Sequence, residues 1–323
     1  MTFSPRTEVQ HWSVTPAEAG QKLLQFLERR LARELPRSAL QRWIRTGQVR
    51  VDGRRAKPFD RIAAEQVVRI PPYIQDAVSL LFSDQTPEHA AETTPSDVLD
   101  LIHETDELLV LAKPAGLAMH PGTGLHDSLA TRLAKAYAGA SFMPTAAHRL
   151  DRETSGLLLA AKTYGRLQAL HELFRERRVL KTYLAWVAGD WTAESVMELR
   201  DQLEKARGQA FERVRTGQGK EAGAMAACLH RIPGASLLAV RLLTGRTHQI
   251  RVQLSGRGFP ILGDSKYAGP PAERLYLHAW RLEFPDECFR LDPQWPEPYS
   301  IAPHLDDPFS SHATCADQKG EGK

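Results

Sequence analysis

At 323 residues, with 42% hydrophobic and 25% charged side chains, the chain has the make-up of an ordinary soluble globular protein of roughly two domains. Cys228, Cys288 and Cys315 are odd in number and widely separated, which argues against a disulfide framework or a cysteine zinc site. No apolar run is long enough to span a bilayer or act as a secretion leader, so a reducing, cytoplasmic setting away from membranes is expected. The formal net charge of +3 conceals a segregation. Residues 18–72 hold thirteen Lys and Arg against six Asp and Glu, whereas residues 73–107 hold nine acidic residues and no Lys or Arg.

In chain order, Leu and Phe recur with helical spacing from Gln21 to Leu31, and Pro36-Arg37-Ser38 starts a second helix through Ala39, Leu40, Trp43 and Ile44 that ends at Gly47. Val49 to Gly53 reads as a short strand entering a turn, and Val67 to Ile70 as another strand. Arg37, Arg42, Arg45, Arg50, Arg54, Arg55 and Lys57 cluster around the second helix and that turn. Such clustering is the footprint of a phosphate-binding surface, although solvated helix faces carry charge too. The arrangement, including Arg45-Thr46-Gly47-Gln48-Val49-Arg50-Val51-Asp52-Gly53, resembles the S4 RNA-binding domain over residues 18–72, with Leu24 where that family often carries Asp. The resemblance implies RNA contacts from Arg37, Arg42, Arg45 and Arg50.

Residues 73–99 read as an acidic linker, residues 100–303 as a second domain and residues 304–323 as a disordered tail. In the second domain Leu108 to Ala112 predicts a strand, and Lys113-Pro114-Ala115-Gly116-Leu117 turns the chain toward His120-Pro121-Gly122. Lys113 is a candidate phosphate contact, or simply a solvated lysine beside a turn. His148-Arg149-Leu150-Asp151-Arg152-Glu153-Thr154-Ser155-Gly156 then sets one carboxylate between two arginines, just ahead of a buried strand from Leu157 to Ala161. That placement makes Asp151 a candidate catalytic group, while the local chemistry alone also fits a surface ion pair. Residues 165–178 predict a helix, and 180–187 a strand with Lys181, Tyr183 and Ala185 on one face. After an apolar run from Leu237 to Leu243, Thr244-Gly245-Arg246-Thr247-His248-Gln249-Ile250-Arg251 opens a helix over 247–254, with His248 and Arg251 near one face. A further Gly-containing connection carries Asp264 and Tyr267.

These segments, Lys113-Pro114-x-Gly116 with His120-Pro121-Gly122, the Asp151 motif, Lys181-x-Tyr183 and the Arg251 motif, occur in the order seen in the RluA family of pseudouridine synthases, which the chain resembles over about residues 100–300. Gln253 stands where that family often has His. The resemblance implies an α+β catalytic domain on a mixed, largely antiparallel sheet, and isomerisation of uridine to pseudouridine without metal or cofactor. Asp151 would be the catalytic carboxylate, by attack at C1′ or by removal of the 2′ proton. Tyr183 would stack on the base and is a candidate for handling the C5 proton; Arg251 would pair with the carboxylate; Arg149 would fill the space left by the flipped base. Lys113, His120 and Arg246 join the RNA-contacting set.

The resulting expectation is a monomeric pseudouridine synthase acting on 23S ribosomal RNA. Transfer RNA is the alternative substrate, and a non-catalytic RNA-binding ribosome-assembly protein the alternative class. A hydrolase using Asp151 as general base is a third reading, which would have to release free uracil.

Overall fold

Leu23, Leu24, Phe26 and Leu27 recur at the spacing that lines one face of a helix, and they drive the first of two helices, α1 (Leu23–Arg30), onto a small sheet. The computed structural model describes residues 9–31, 35–72, 98–121, 127–205, 214–301 and 305–309. The second helix, α2 (Arg37–Arg45), follows Pro36 and buries Leu40 and Ile44 against α1 and the sheet. Its end is closed by Gly47 at φ +76, where the N–H groups of Gly47 and Gln48 return to the carbonyls of Ile44 and Trp43. The sheet is built from β1 (Gln10–Ser13), β2 (Arg50–Val51), β3 (Arg54–Arg55) and β4 (Val67–Ile70), in the order β1-β4-β2-β3. Strand β1 lies outside the expected 18–72 boundary, yet it pairs antiparallel with β4 along its whole length, so the unit extends back at least to residue 10.

This unit rests on the second domain. Thr15 Oγ1 donates to the Ser141 carbonyl at 2.7 Å, and the Arg29 guanidinium lies 5.3 Å from the ring centres of both Phe142 and Tyr164. Those two rings are almost wholly buried. Most of the expected acidic linker, residues 73–97, lies outside the described residues.

The larger sheet contains β5 (Leu101–Glu104), β6 (Leu108–Lys113), β7 (Thr145–Ala146), β8 (Ser155–Ala161), β9 (Leu180–Ala188), β10 (Met197–Lys205), β11 (Val214–Thr216), β12 (Lys220–Ile232), β13 (Ala235–Leu242), β14 (Leu277–Phe284) and β15 (Glu287–Arg290). Its main path runs β11-β10-β12-β13-β9-β14-β8-β6-β5, with β15 on β14 and β7 on β8. Among the described strand pairs only β14 with β8 is parallel, so the expected α+β fold on a mixed, largely antiparallel sheet is what the chain adopts. Strand β8 shows why its sequence is a continuous apolar run. Leu158 and Ala160 face a core shared with helices α3 (Leu129–Ala136) and α5 (Gln249–Ser255), while Leu157, Leu159 and Ala161 face a second core under α4 (Tyr164–Arg175). Gly156 permits the junction of β8 with β14. Its φ is +112, and a Cβ there would sit 2.3 Å from the Ala279 carbonyl oxygen.

One expectation is corrected. Residues 305–309 are not a free tail, because Asp307 is buried and accepts from Arg241 Nη2 at 2.9 Å, with Arg281 Nη1 at 3.6 Å, while the Phe309 carbonyl accepts from Arg241 Nη1. Residues 310–323 lie outside the described residues. Cys228 is a free thiol. No helix among the described residues is long and apolar enough to cross a membrane.

Candidate active site

A cavity of about 790 Å³ opens where the β7–β8 loop, strand β9 and the β13–α5 loop converge. Asp151, Arg149, Tyr183, Arg246 and Arg251, far apart in sequence, all line it.

The loop bearing Asp151 is held from several sides. Leu150 is buried in the main core, and the Asp151 carbonyl accepts from the Thr154 N–H at 3.1 Å. His148 Nε2 accepts from the Leu159 N–H at 3.0 Å. Burial pushes the pKa of His148 down to about 3, so the imidazole is neutral and acts as an acceptor. From the opposite side, Lys113 Nζ donates to the carbonyls of Pro114, Leu117 and Arg152 at 2.8, 2.9 and 2.9 Å.

Lys113 therefore does not contact RNA as expected. It is buried, its three N–H donors are all engaged by main-chain carbonyls, and desolvation lowers its pKa to about 8. The ammonium ties the β6 turn to the Asp151 loop. His120 is exposed but does not line the cavity. Arg37, Arg42, Arg45 and Arg50 are exposed on the N-terminal unit, also away from the cavity lining.

Asp151 Oδ2 lies 3.5 Å from Arg251 Nη1 and 3.7 Å from His248 Nε2. Arg251 sits in α5, a helix that begins two residues later than the sequence suggested. His248 is its N-cap in the left-handed region at φ 52, a strained position for a side-chain-bearing residue, costing about 1 kcal/mol. Arg251 is fixed by a bidentate pair with Asp264, Nε to Oδ2 at 2.7 Å and Nη2 to Oδ1 at 2.6 Å, and Asp264 is fully buried. Tyr267 stands beside both. Its ring centre is 5.2 Å from the Arg251 guanidinium, and its hydroxyl accepts from the Val214 N–H and meets His248 Nδ1 at 2.7 Å. Of the two ring nitrogens of His248, Nδ1 is thus taken up by Tyr267 and Nε2 faces Asp151. Desolvation is the leading cause that lowers the His248 pKa, against the opposing pull of Asp151.

Tyr183 forms a nearly buried wall of the cavity on β9. Desolvation first, and the nearby Asp151 second, push its phenol upward, so it stays protonated at neutral pH. Arg149 is exposed at the mouth. Asp264 and His248 were not assigned to the site from sequence. The available signal was the position of His248 three residues before Arg251 and the polar Asp264 to Tyr267 stretch in a Gly-containing connection. Gln253, which stands where the resembled family often has His, is buried, and its amide donates to the Leu199 and Ala222 carbonyls and to Asp201. Among the described residues, no group of three or more His, Cys, Asp or Glu is placed to hold a metal ion.

A family model described as RNA pseudouridylate synthase matches residues 107–256, which include Asp151, Tyr183 and Arg251. Ribosomal large subunit pseudouridine synthase C of Escherichia coli (strain K12) is 38% identical over 290 residues, covering 84% of this chain and 87% of that protein. Its counterpart in Vibrio vulnificus (strain CMCP6) is 36% identical over 292 residues, covering 86% and 89%. The solved structure of Human RNA Pseudouridylate Synthase Domain Containing 1 superposes with a TM-score of 0.53 at 27% identity, covering 69% of this chain and 92% of that one.

Proposed function

We propose that this chain, which belongs to the RNA pseudouridylate synthase family and is an isomerase of uridine in RNA, acts on 23S ribosomal RNA and uses Asp151 as its catalytic carboxylate. The observation that carries the assignment is the half-buried Asp151 in the cavity, 3.5 Å from an arginine that Asp264 pins in place. The names of the relatives, synthases of the ribosomal large subunit, support the substrate over transfer RNA.

The reaction breaks the bond from C1′ to N1 and forms one from C1′ to C5. A proton leaves C5 and one is gained at N1, so mass is unchanged. Asp151 either attacks C1′ or removes the 2′ proton, and Arg251 Nη1 orients the carboxylate and offsets charge as it reacts. Tyr183 offers a ring face for the uracil and a neutral hydroxyl near C5. A stacked uridine must first leave its helix, at a cost of roughly a few kcal/mol, and Arg149 at the cavity mouth is suited to fill the vacated stack. The N-terminal unit, S4-like in its sequence, adds phosphate contacts through Arg37, Arg42, Arg45 and Arg50, all exposed. The enzyme works as a monomer in the cytoplasm.

The test is pseudouridine mapping by carbodiimide labelling and primer extension in unmodified 23S RNA and bulk transfer RNA, with wild type beside Asp151→Asn. Stops in 23S RNA that vanish with Asp151→Asn are the expected result. Stops confined to transfer RNA would replace the substrate, and stops that persist with Asp151→Asn would overturn the catalytic assignment.

A further inference from the structure

Among the described buried and half-buried cations of the catalytic domain, Lys181 stands apart. Lys113 has three carbonyls, Arg251 has Asp264, and Arg241 and Arg281 share Glu283 and Asp307. Lys181 lies on β9 two residues before Tyr183 and lines the same cavity. Its ammonium faces the Phe174 ring at 5.6 Å and lies so close to Gly245 that a Cβ there would come within 3.2 Å of Nζ. No carboxylate of the described residues pairs with it. A ring face is a weaker partner than a carboxylate for a charge taken out of water.

We propose that Lys181, seated between Phe174 and Gly245, is a phosphate-binding subsite for the RNA backbone next to the flipped uridine. The inference rests on the function proposed above and extends its site. Two features favour a phosphate over a uracil carbonyl. First, Asp151 has Arg251 at 3.5 Å and His248 at 3.7 Å and forms no ion pair with Lys181, so the ammonium is not spent on the proposed catalytic carboxylate; burial lowers its pKa. Second, the neighbouring cavity rim adds Arg177 and Arg246, neither with a carboxylate partner among the described residues, and a neutral carbonyl would leave that surplus charge unbalanced. A Cβ at Gly245 would crowd the ammonium by a few tenths of an ångström.

The experiment compares wild type with Lys181→Met, Lys181→Gln and Lys181→Arg, measuring RNA affinity across a salt series, steady-state kinetics and thermal midpoints. Removing the ammonium should weaken RNA binding roughly tenfold at low salt and flatten the slope of log Kd against log salt by about 0.7 to 0.9, the share of one phosphate. The loss should fall more on KM than on kcat, and Lys181→Arg should restore the slope. The thermal midpoint should rise in Lys181→Met, because an uncompensated cation is removed, whereas a purely structural lysine would lower it. Inorganic phosphate should compete with RNA more weakly against Lys181→Met than against wild type. An unchanged salt slope in the Met and Gln variants while wild type makes pseudouridine overturns the subsite alone, as does a loss confined to kcat. Absence of pseudouridine with wild type itself overturns the enzymatic reading and the subsite with it.

Discussion

Arg251 commits two guanidinium nitrogens to Asp264, at 2.7 and 2.6 Å, and presents only Nη1 to Asp151, at 3.5 Å. The tighter partner is the structural one. A fully buried carboxylate thus sets the position of the charge that Asp151, the carboxylate proposed to react, sees.

Asp264→Asn keeps the volume but removes the charge that anchors Arg251. Breaking a buried pair in this way costs about 3–5 kcal/mol, and the freed guanidinium should collapse onto Asp151. Denaturant unfolding should show that loss, and single-turnover rates should fall by about 10- to 100-fold with RNA affinity little changed. Wild-type turnover in this variant would show that Arg251 needs no anchor.

Lys113→Met tests the correction made to that residue. It orphans three carbonyls around the Asp151 loop, which should destabilise the protein by about 3 kcal/mol or more. Because the ammonium has no donor left for RNA, the salt slope of binding should stay at the wild-type value. A slope reduced by one phosphate would return Lys113 to the RNA surface.

Acid stability follows from His148 and His278, whose pKa values are pushed down by burial to about 3 and about 4. Both fall below the unfolded value near 6.5, so between those limits the unfolded chain binds more protons and stability is lost as pH falls. Each histidine should contribute about 1.4 kcal/mol per pH unit once the pH is well below 6.5. Urea unfolding at pH 7 and pH 5 measures the loss, and His278→Asn should reduce it. A flat profile would mean that both rings are protonated in the fold.

Arg29→Ala removes the guanidinium that lies against Phe142 and Tyr164 at 5.3 Å. Solution scattering should report a larger radius, and protease should cut between the two units sooner, as the N-terminal unit separates from the second domain. An unchanged profile would assign the docking to Thr15 and Ser141 instead.

How far the sequence could be read depends on the range of the interactions. The run Leu157 to Ala161 announced a buried strand because its alternate residues serve two different cores. Gly47 announced the end of a helix because it takes a left-handed conformation there. Asp151, Tyr183, Arg149, Arg246 and Arg251 were singled out by their motifs and do meet in one cavity. Lys113 was misplaced because its partners are main-chain carbonyls, one of them in the Asp151 loop, and carbonyls leave no mark in a sequence. Asp264 was noted only as part of a turn, since its pairing with Arg251 spans thirteen residues and a change of element. The docking of Asp307 depends on Arg241 and Arg281, on two different strands, and looked locally like polar tail.

That last contact orders events during synthesis. Residues 10–72 carry every strand and helix of the N-terminal unit, which can close its core while the rest of the chain is still being made. The catalytic sheet cannot do the same: Arg241 and Arg281 stay without one of their carboxylates until Asp307 has been added, after every strand between them is in place. The N-terminal unit can therefore be complete while the larger sheet still awaits the carboxylate that joins two of its strands.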